Sequence, residues 1–200
     1  MILALTLDRL QKCVSEKYRD ENRIVGLILA RYDISLTQNI INDCYLYWHY
    51  NTGRTLDIFW AGYGEYLQKG DQTKSKVIMN FPDNDTLAYF DLQAFISIKN
   101  AFNDKLKENY KDHIQLILVD YRDNKLQFDN AVQFDLEENI NQNYSNIREL
   151  IERITNESRT TRDVVSLVSK LETAKFLDRI RGISITDAVS IALNTLGLVL

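Results

Sequence analysis

The sequence predicts an α/β fold: a three-layer core of order β-α-β-α-β-β-α, with a helix before it and a helical extension after it. Two apolar runs, Ile24-Val-Gly-Leu-Ile-Leu-Ala30 and Thr55-Leu-Asp-Ile-Phe-Trp-Ala61, flank a stretch of helical pattern. Two buried strands joined by about one helix read as a parallel βαβ unit, because a parallel connection needs a crossover of about a dozen residues or more. A third run, Ile114-Gln-Leu-Ile-Leu-Val119, is followed by Asp123-Asn124 and then by Leu126 to Phe134. Turn chemistry between two β-rich segments predicts an antiparallel hairpin. Apolar stripes at helical spacing occupy both ends of the chain.

In chain order, Leu3, Leu7, Leu10, Val14 and Tyr18 form one stripe and predict an amphipathic helix over 2–18. After the first strand, Ser35 is positioned to cap a helix over about 36–50, with Leu36, Ile40, Ile41 and Cys44 toward the sheet and Gly53 as its end. Residues 68–76 are polar and contain glycine, which predicts a loop, and Val77 to Phe81 predicts a short edge element ended by Pro82. Residues 86–108 read as one helix, or two with a break near Asp91. Three helical patterns follow the hairpin: about 146–155, then about 161–180 from a Thr160/Asp163 capping spacing, then about 184–198 from Ser184/Asp187. We divide the chain into an α/β core over 1–156 and a helical extension over 157–200.

Composition bounds the rest. With 200 residues, 45% hydrophobic and 26% charged, the chain has the content of an ordinary globular protein and room for one sizeable core. A net charge of -4 argues against non-specific nucleic-acid binding, which needs a surplus of Lys and Arg. Even the basic stretch 145–181 holds eight Lys/Arg against six Asp/Glu, a mixed solvated face. Two cysteines, Cys13 and Cys44, are too few for a disulfide framework, and Asp8, Arg9 and Lys12 interrupt the first apolar residues. The expectation is a cytoplasmic bacterial chain with reduced thiols and no membrane partner. The longest charge-free run, 188–200, is too short for a bilayer core that needs about 20 residues.

The β-α-β-α-β-β-α order over about residues 23–156 resembles the thioredoxin-like fold. The resemblance is one of topology. Redox members of that family open the first core helix with a Cys-x-x-Cys pair, where the helix N-terminus lowers the thiol pKa. Here those positions read Tyr32-Asp-Ile-Ser35, and Lys111-Asp-His113 stands where the family has a proline before its third core strand. The resemblance therefore implies the scaffold without its thiol chemistry.

Other chemical motifs are incomplete. Gly62-x-Gly64 follows a strand, but position 67 is Leu, so the dinucleotide fingerprint fails and a strand-ending turn is the better reading. His49 and His113 are too few and too far apart in sequence for a His-rich metal site, and no metal or cofactor is expected. Cys44 and His49 lie about 140° apart around one helix and do not form a nucleophile and base. Asp120 and Asp123 flank Arg122 as an acid pair or part of a magnesium site, yet a hairpin turn needs the same residues.

Two functional readings remain. The favoured one is a non-catalytic interaction or accessory protein, docking a protein partner or a second copy as a homodimer. Its candidate contact residues are Tyr47, Trp48 and Tyr50, which crowd one helix end, and Ile185, Val189, Leu193 and Leu196 on the C-terminal stripe. The alternative is an enzyme or small-ligand binder with its site at the carboxyl ends of the first two strands, where open α/β sheets place ligands. Its candidates are Arg31, Tyr32, Asp33, Tyr63 and Glu65, with Asp120 nearby; Arg31 offers a guanidinium to an anion, and Asp33 or Glu65 a general base.

Overall fold

A computed structural model describes residues 2–4, 6–65, 76–79, 88–106, 110, 112–136, 144–173 and 184–186. It is an α/β protein with a mixed sheet, in element order β1 (Ile2–Ala4), α1 (Leu7–Tyr18), β2 (Arg23–Leu29), α2 (Ser35–Asn51), β3 (Asp57–Ala61), β4 (Tyr63–Glu65), β5 (Lys76–Ile78), β6 (Ala88–Asp91), α3 (Leu92–Leu106), β7 (Gln115–Arg122), β8 (Lys125–Asp135), α4 (Tyr144–Glu157), α5 (Val164–Thr173) and β9 (Ser184–Thr186). Six strands form the main sheet in the order β1-β3-β2-β7-β8-β9, and β4-β6-β5 form a small antiparallel one. β1, β3 and β2 run parallel, whereas β7 is antiparallel to both β2 and β8. This arrangement is compatible with a thioredoxin-like topology.

Register decides what each face carries. Leu27 stands beside Phe59 and Ile117, so by strand alternation Val25, Leu29, Asp57, Gln115 and Tyr121 share that face. Gly26, Ile28, Ile58, Trp60, Leu116, Leu118 and Asp120 take the other. Tyr18 of α1 meets the first face, at Tyr121 and through its hydroxyl at Asp57. α2 covers the second face, with the rings of Tyr45 and Trp48 5.3 and 5.1 Å from Trp60. α4 packs on α2, and α5 on α4, β7 and β8. α3 lies against β3 and β8.

Several expectations need correction. Ile2–Ala4 is a strand paired with Phe59–Ala61, and the helix begins only at Leu7, because the Thr6 hydroxyl accepts from Arg9 N at 3.1 Å and caps it there. Leu3 fits the helical stripe only by its spacing. Residues 88–91 are a strand, after which the Asp91 carboxylate accepts from Gln93 N and Ala94 N and starts α3. α2 has Ile34, not Ser35, at its cap position, without a side-chain cap bond. α5 is capped by Asp163, whose carboxylate accepts from Ser166 N, rather than by Thr160. Ser184–Thr186 pairs with β8 and does not open a helix, since an apolar and a β-branched residue at a sheet edge favour strand pairing over the local cap spacing. Residues 187–200, and the loop expected over 68–75, lie outside the described residues.

The core is held by apolar burial, and ion pairs to buried carboxylates tie outer elements to it. Asp57, 2% exposed at the start of β3, receives Lys17 Nζ at 2.7 Å and the Tyr18 hydroxyl, which fastens α1 to the sheet. Burial, and then the Asp57 charge, push the Tyr18 pKa up. Gly62 turns the chain from β3 into β4 at φ 80°, and a Cβ there would sit 2.7 Å from Phe95 Cβ. Only glycine suits that approach. Among the described residues no helix is long and apolar enough to cross a membrane.

Candidate functional site

The carboxyl ends of β2 and β3 and the entry to β7 form one edge of the sheet. At this edge the chain uses its own groups to close the β2–α2 loop. The Tyr63 hydroxyl donates to the carbonyl of Ala30 at 3.0 Å, Thr37 Oγ1 to those of Arg31 and Ile34, and Gln38 Nε2 to that of Tyr32 at 2.8 Å. Loop carbonyls that lack a helical or strand partner need such donors when partly buried. The polar residues clustered over 30–38 thus have a structural task.

Arg31 ties this loop to the segment entering β7. Its Nε and Nη2 donate to the two carboxylate oxygens of Asp33 at 3.1 and 2.6 Å, and its Nη1 donates to Asp112 Oδ1 at 3.2 Å. A bidentate guanidinium–carboxylate pair is the strong form of this interaction. The Asp33 hydrogen bond is the main reason that the Arg31 pKa is raised. Asp112 sits in the left-handed region at φ 59°, uncommon for a residue other than glycine, asparagine or aspartate. With two carboxylates on one guanidinium, Arg31 carries no surplus charge for an anion, and Asp33 is already engaged as an acceptor.

Next to this clamp, His113 Nδ1 lies 3.0 Å from Asp135 Oδ2. His113 is part-exposed and Asp135 nearly buried. A carboxylate that holds one imidazole nitrogen orients the ring and leaves the other nitrogen to act as a base. Gln115 pairs directly with Asp135 in the sheet and is 1% exposed, and among the described residues neither polar atom of its side-chain amide has a hydrogen-bond partner. Among the described residues no group of three His, Cys, Asp or Glu side chains is arranged to hold a metal ion.

The structure therefore brings together Arg31, Tyr32, Asp33 and Tyr63, but not in the roles expected of them. Tyr32 and Tyr63 are buried, and burial raises the Tyr63 pKa well above its ordinary value. Glu65 is in β4, and its side chain lies outside the described residues. Asp120 does not belong to this edge. It pairs with Ile24 at the opposite end of β2, about 20 Å away at ~3.3 Å per strand residue. There it accepts from Val164 N at 2.8 Å and from Arg122 Nη2 at 2.9 Å, while burial raises its pKa. Its work is to anchor the start of α5.

The aromatic helix end is also largely accounted for within the chain. Trp48 is 1% exposed against Trp60, so it is not a contact residue for a partner. Tyr47 is half-covered by α4: the Arg148 guanidinium stands 4.5 Å from its ring centre, and its hydroxyl donates to Glu152. That hydrogen bond, and then Arg148, lower the Glu152 pKa. The side chains of Cys44, His49, Tyr50 and Ile185 lie outside the described residues, as do Val189, Leu193 and Leu196 entirely.

Sequence reasoning missed Asp112, His113, Gln115 and Asp135 as one group. The available signal was the polar tripeptide Lys111-Asp-His113 before an apolar strand, with Asp135 ending the next one. In comparisons with protein-family models, curated proteins and solved structures, the chain matches none.

Proposed function

We propose that this chain is a non-catalytic interaction protein built on a thioredoxin-like core whose former reaction edge serves as a closed structural corner. The supporting observation is the Arg31 clamp. It joins Asp33 to Asp112, in the two segments where redox members of that family carry their cysteine pair and their proline. Ion pairs and backbone caps occupy Arg31, Asp33, Thr37 and Tyr63, groups that a substrate at the end of β2 would need. The strand order, with the third core strand antiparallel to its neighbours, also supports this assignment. The setting we propose is the cytoplasm.

The partner in this reading is a second copy of the chain. β9 is an edge strand with no neighbour on its outer side among the described residues, and the apolar C-terminal stripe begins in it at Ile185. An open edge beside an apolar segment is a site for pairing with another chain. Sedimentation of the full chain, and of a truncation ending at Gly182, tests this. The expected result is a dimer that becomes a folded monomer on truncation. A full chain that stays monomeric across the concentration range contradicts it.

A further inference from the structure

Between the last turn of α2 and the last turns of α4 lies a cleft of about 240 Å³, lined by Tyr47, Asn51, Glu152, Thr155, Asn156 and Arg159 among others. We propose that it binds one small neutral polyhydroxylated molecule, of the size of a monosaccharide. The site goes beyond the interaction reading and does not depend on it. Its volume falls below the ~300–1,000 Å³ of drug-sized pockets, which limits the ligand to about one ring.

Charge balance selects a neutral ligand. Two helix C-termini meet at the cleft, each contributing about half a negative charge, and Glu152 adds one more. Arg148, beside Tyr47, and Arg159 offset them. A ligand with a full charge of either sign gains little there, whereas hydroxyl groups suit a wall that mixes donors and acceptors.

Those polar groups are free to bind, with one exception. Thr155 lines the cleft, but its Oγ1 is buried and offers no surface to a ligand. The side chains of Asn156 and Arg159 have no partner among the described residues. Asn51 spends its Nδ2 on the carbonyl of Tyr47 at 2.7 Å, which leaves its side-chain oxygen as an acceptor. Tyr47 supplies an aromatic wall with its hydroxyl fixed on Glu152. The arrangement holds two ready donors, the Asn156 amide and the Arg159 guanidinium, and two ready acceptors, the side-chain oxygens of Asn51 and Asn156.

The test is NMR titration of the full chain with glucose, mannose, N-acetylglucosamine and myo-inositol, with inorganic phosphate as the charged comparison. At least one polyol is expected to bind saturably with a millimolar Kd, as suits a ligand of about a dozen heavy atoms. Its shifts should centre on Asn51, Thr155, Asn156 and Arg159. Arg159→Met removes an exposed guanidinium at the cleft and keeps its apolar stem, so the fold should keep its stability while affinity falls about tenfold. Asn156→Ala should weaken binding similarly. The proposal is overturned if no polyol gives a saturable shift at about 0.1 M, a hundredfold above a millimolar Kd. Phosphate binding in preference to the polyols, or polyol binding unchanged in both variants, overturns it as well.

Discussion

Leu118→Asp is expected to leave the protein unfolded in buffer. Leu118 is fully buried in β7, between Gly26 of β2 and Val132 of β8, on the face that α2 covers. Gly26 has no side chain to move aside, and a Cβ built on it would lie 3.5 Å from Leu118 Cδ2. A carboxylate in that place finds neither water nor a cation. Burying an unpaired charge costs several kcal/mol even after relaxation, against a whole-domain stability of about 5–15 kcal/mol. Leu118→Ala is the milder control, losing about 2–5 kcal/mol while it keeps the fold. Circular dichroism and urea melts read both. A cooperative urea transition in a soluble Leu118→Asp variant would show that the β2–β7–β8 centre is not the core.

Trp60→Ala is expected to lower stability by about 3–5 kcal/mol, the range for removing a large buried aromatic side chain. Trp60 is 1% exposed, and three rings surround it: Trp48 at 5.1 Å, Tyr63 at 5.2 Å and Tyr45 at 5.3 Å between centroids. Tyr63 passes the contact on to Phe90, and Phe90 to Phe95, so the cluster links α2 and β3 to β6 and α3. For a chain of this length each kcal/mol moves Tm by about 2–4 °C, which predicts a fall of about 10 °C. Thermal denaturation measures it. A shift of only 1–2 °C would mean that the rings reclose over the gap without loss.

Of the four central strands, β2, β3 and β7 were legible because each contains a run of four or more apolar residues, and burial on both faces leaves such a run no polar alternation; β8 was legible from the Asp123-Asn124 turn that precedes it. The short strands were not. Ile2–Ala4 and Ala88–Asp91 precede helices, and three or four residues hold too little periodicity to separate the two states. At Ser184–Thr186 a plausible cap spacing concealed a sheet edge, since pairing with Asp135 and Phe134 is set by tertiary structure. The candidate site was half legible. Arg31, Tyr32 and Asp33 follow a strand and could be named from that position. Asp112 and Asp135 come from segments about 80 and 100 residues further on, and only the sheet register brings them near. Asp120 was misplaced for the same reason: β7 runs antiparallel to β2, which carries the end of β7 to the start of β2. Trp48 looked like a surface anchor because its partner, Trp60, is visible only once α2 lies on β3.

Disulfide-reduction turnover most directly tests the proposal that this α/β core carries out no thiol redox chemistry. Cys13 is on α1 and Cys44 on α2, helices that cover opposite faces of the sheet, so the two Cα atoms cannot come within the roughly 7 Å that a disulfide requires. Neither lies at a helix start, where the dipole would favour the thiolate. The measurement compares the wild type with a Cys13→Ser/Cys44→Ser variant on a protein disulfide in the presence of a small-thiol reductant. The expected result is two folded proteins, both reducing the substrate no faster than the reductant alone. A wild-type rate well above that background, lost in the double variant, would contradict the account.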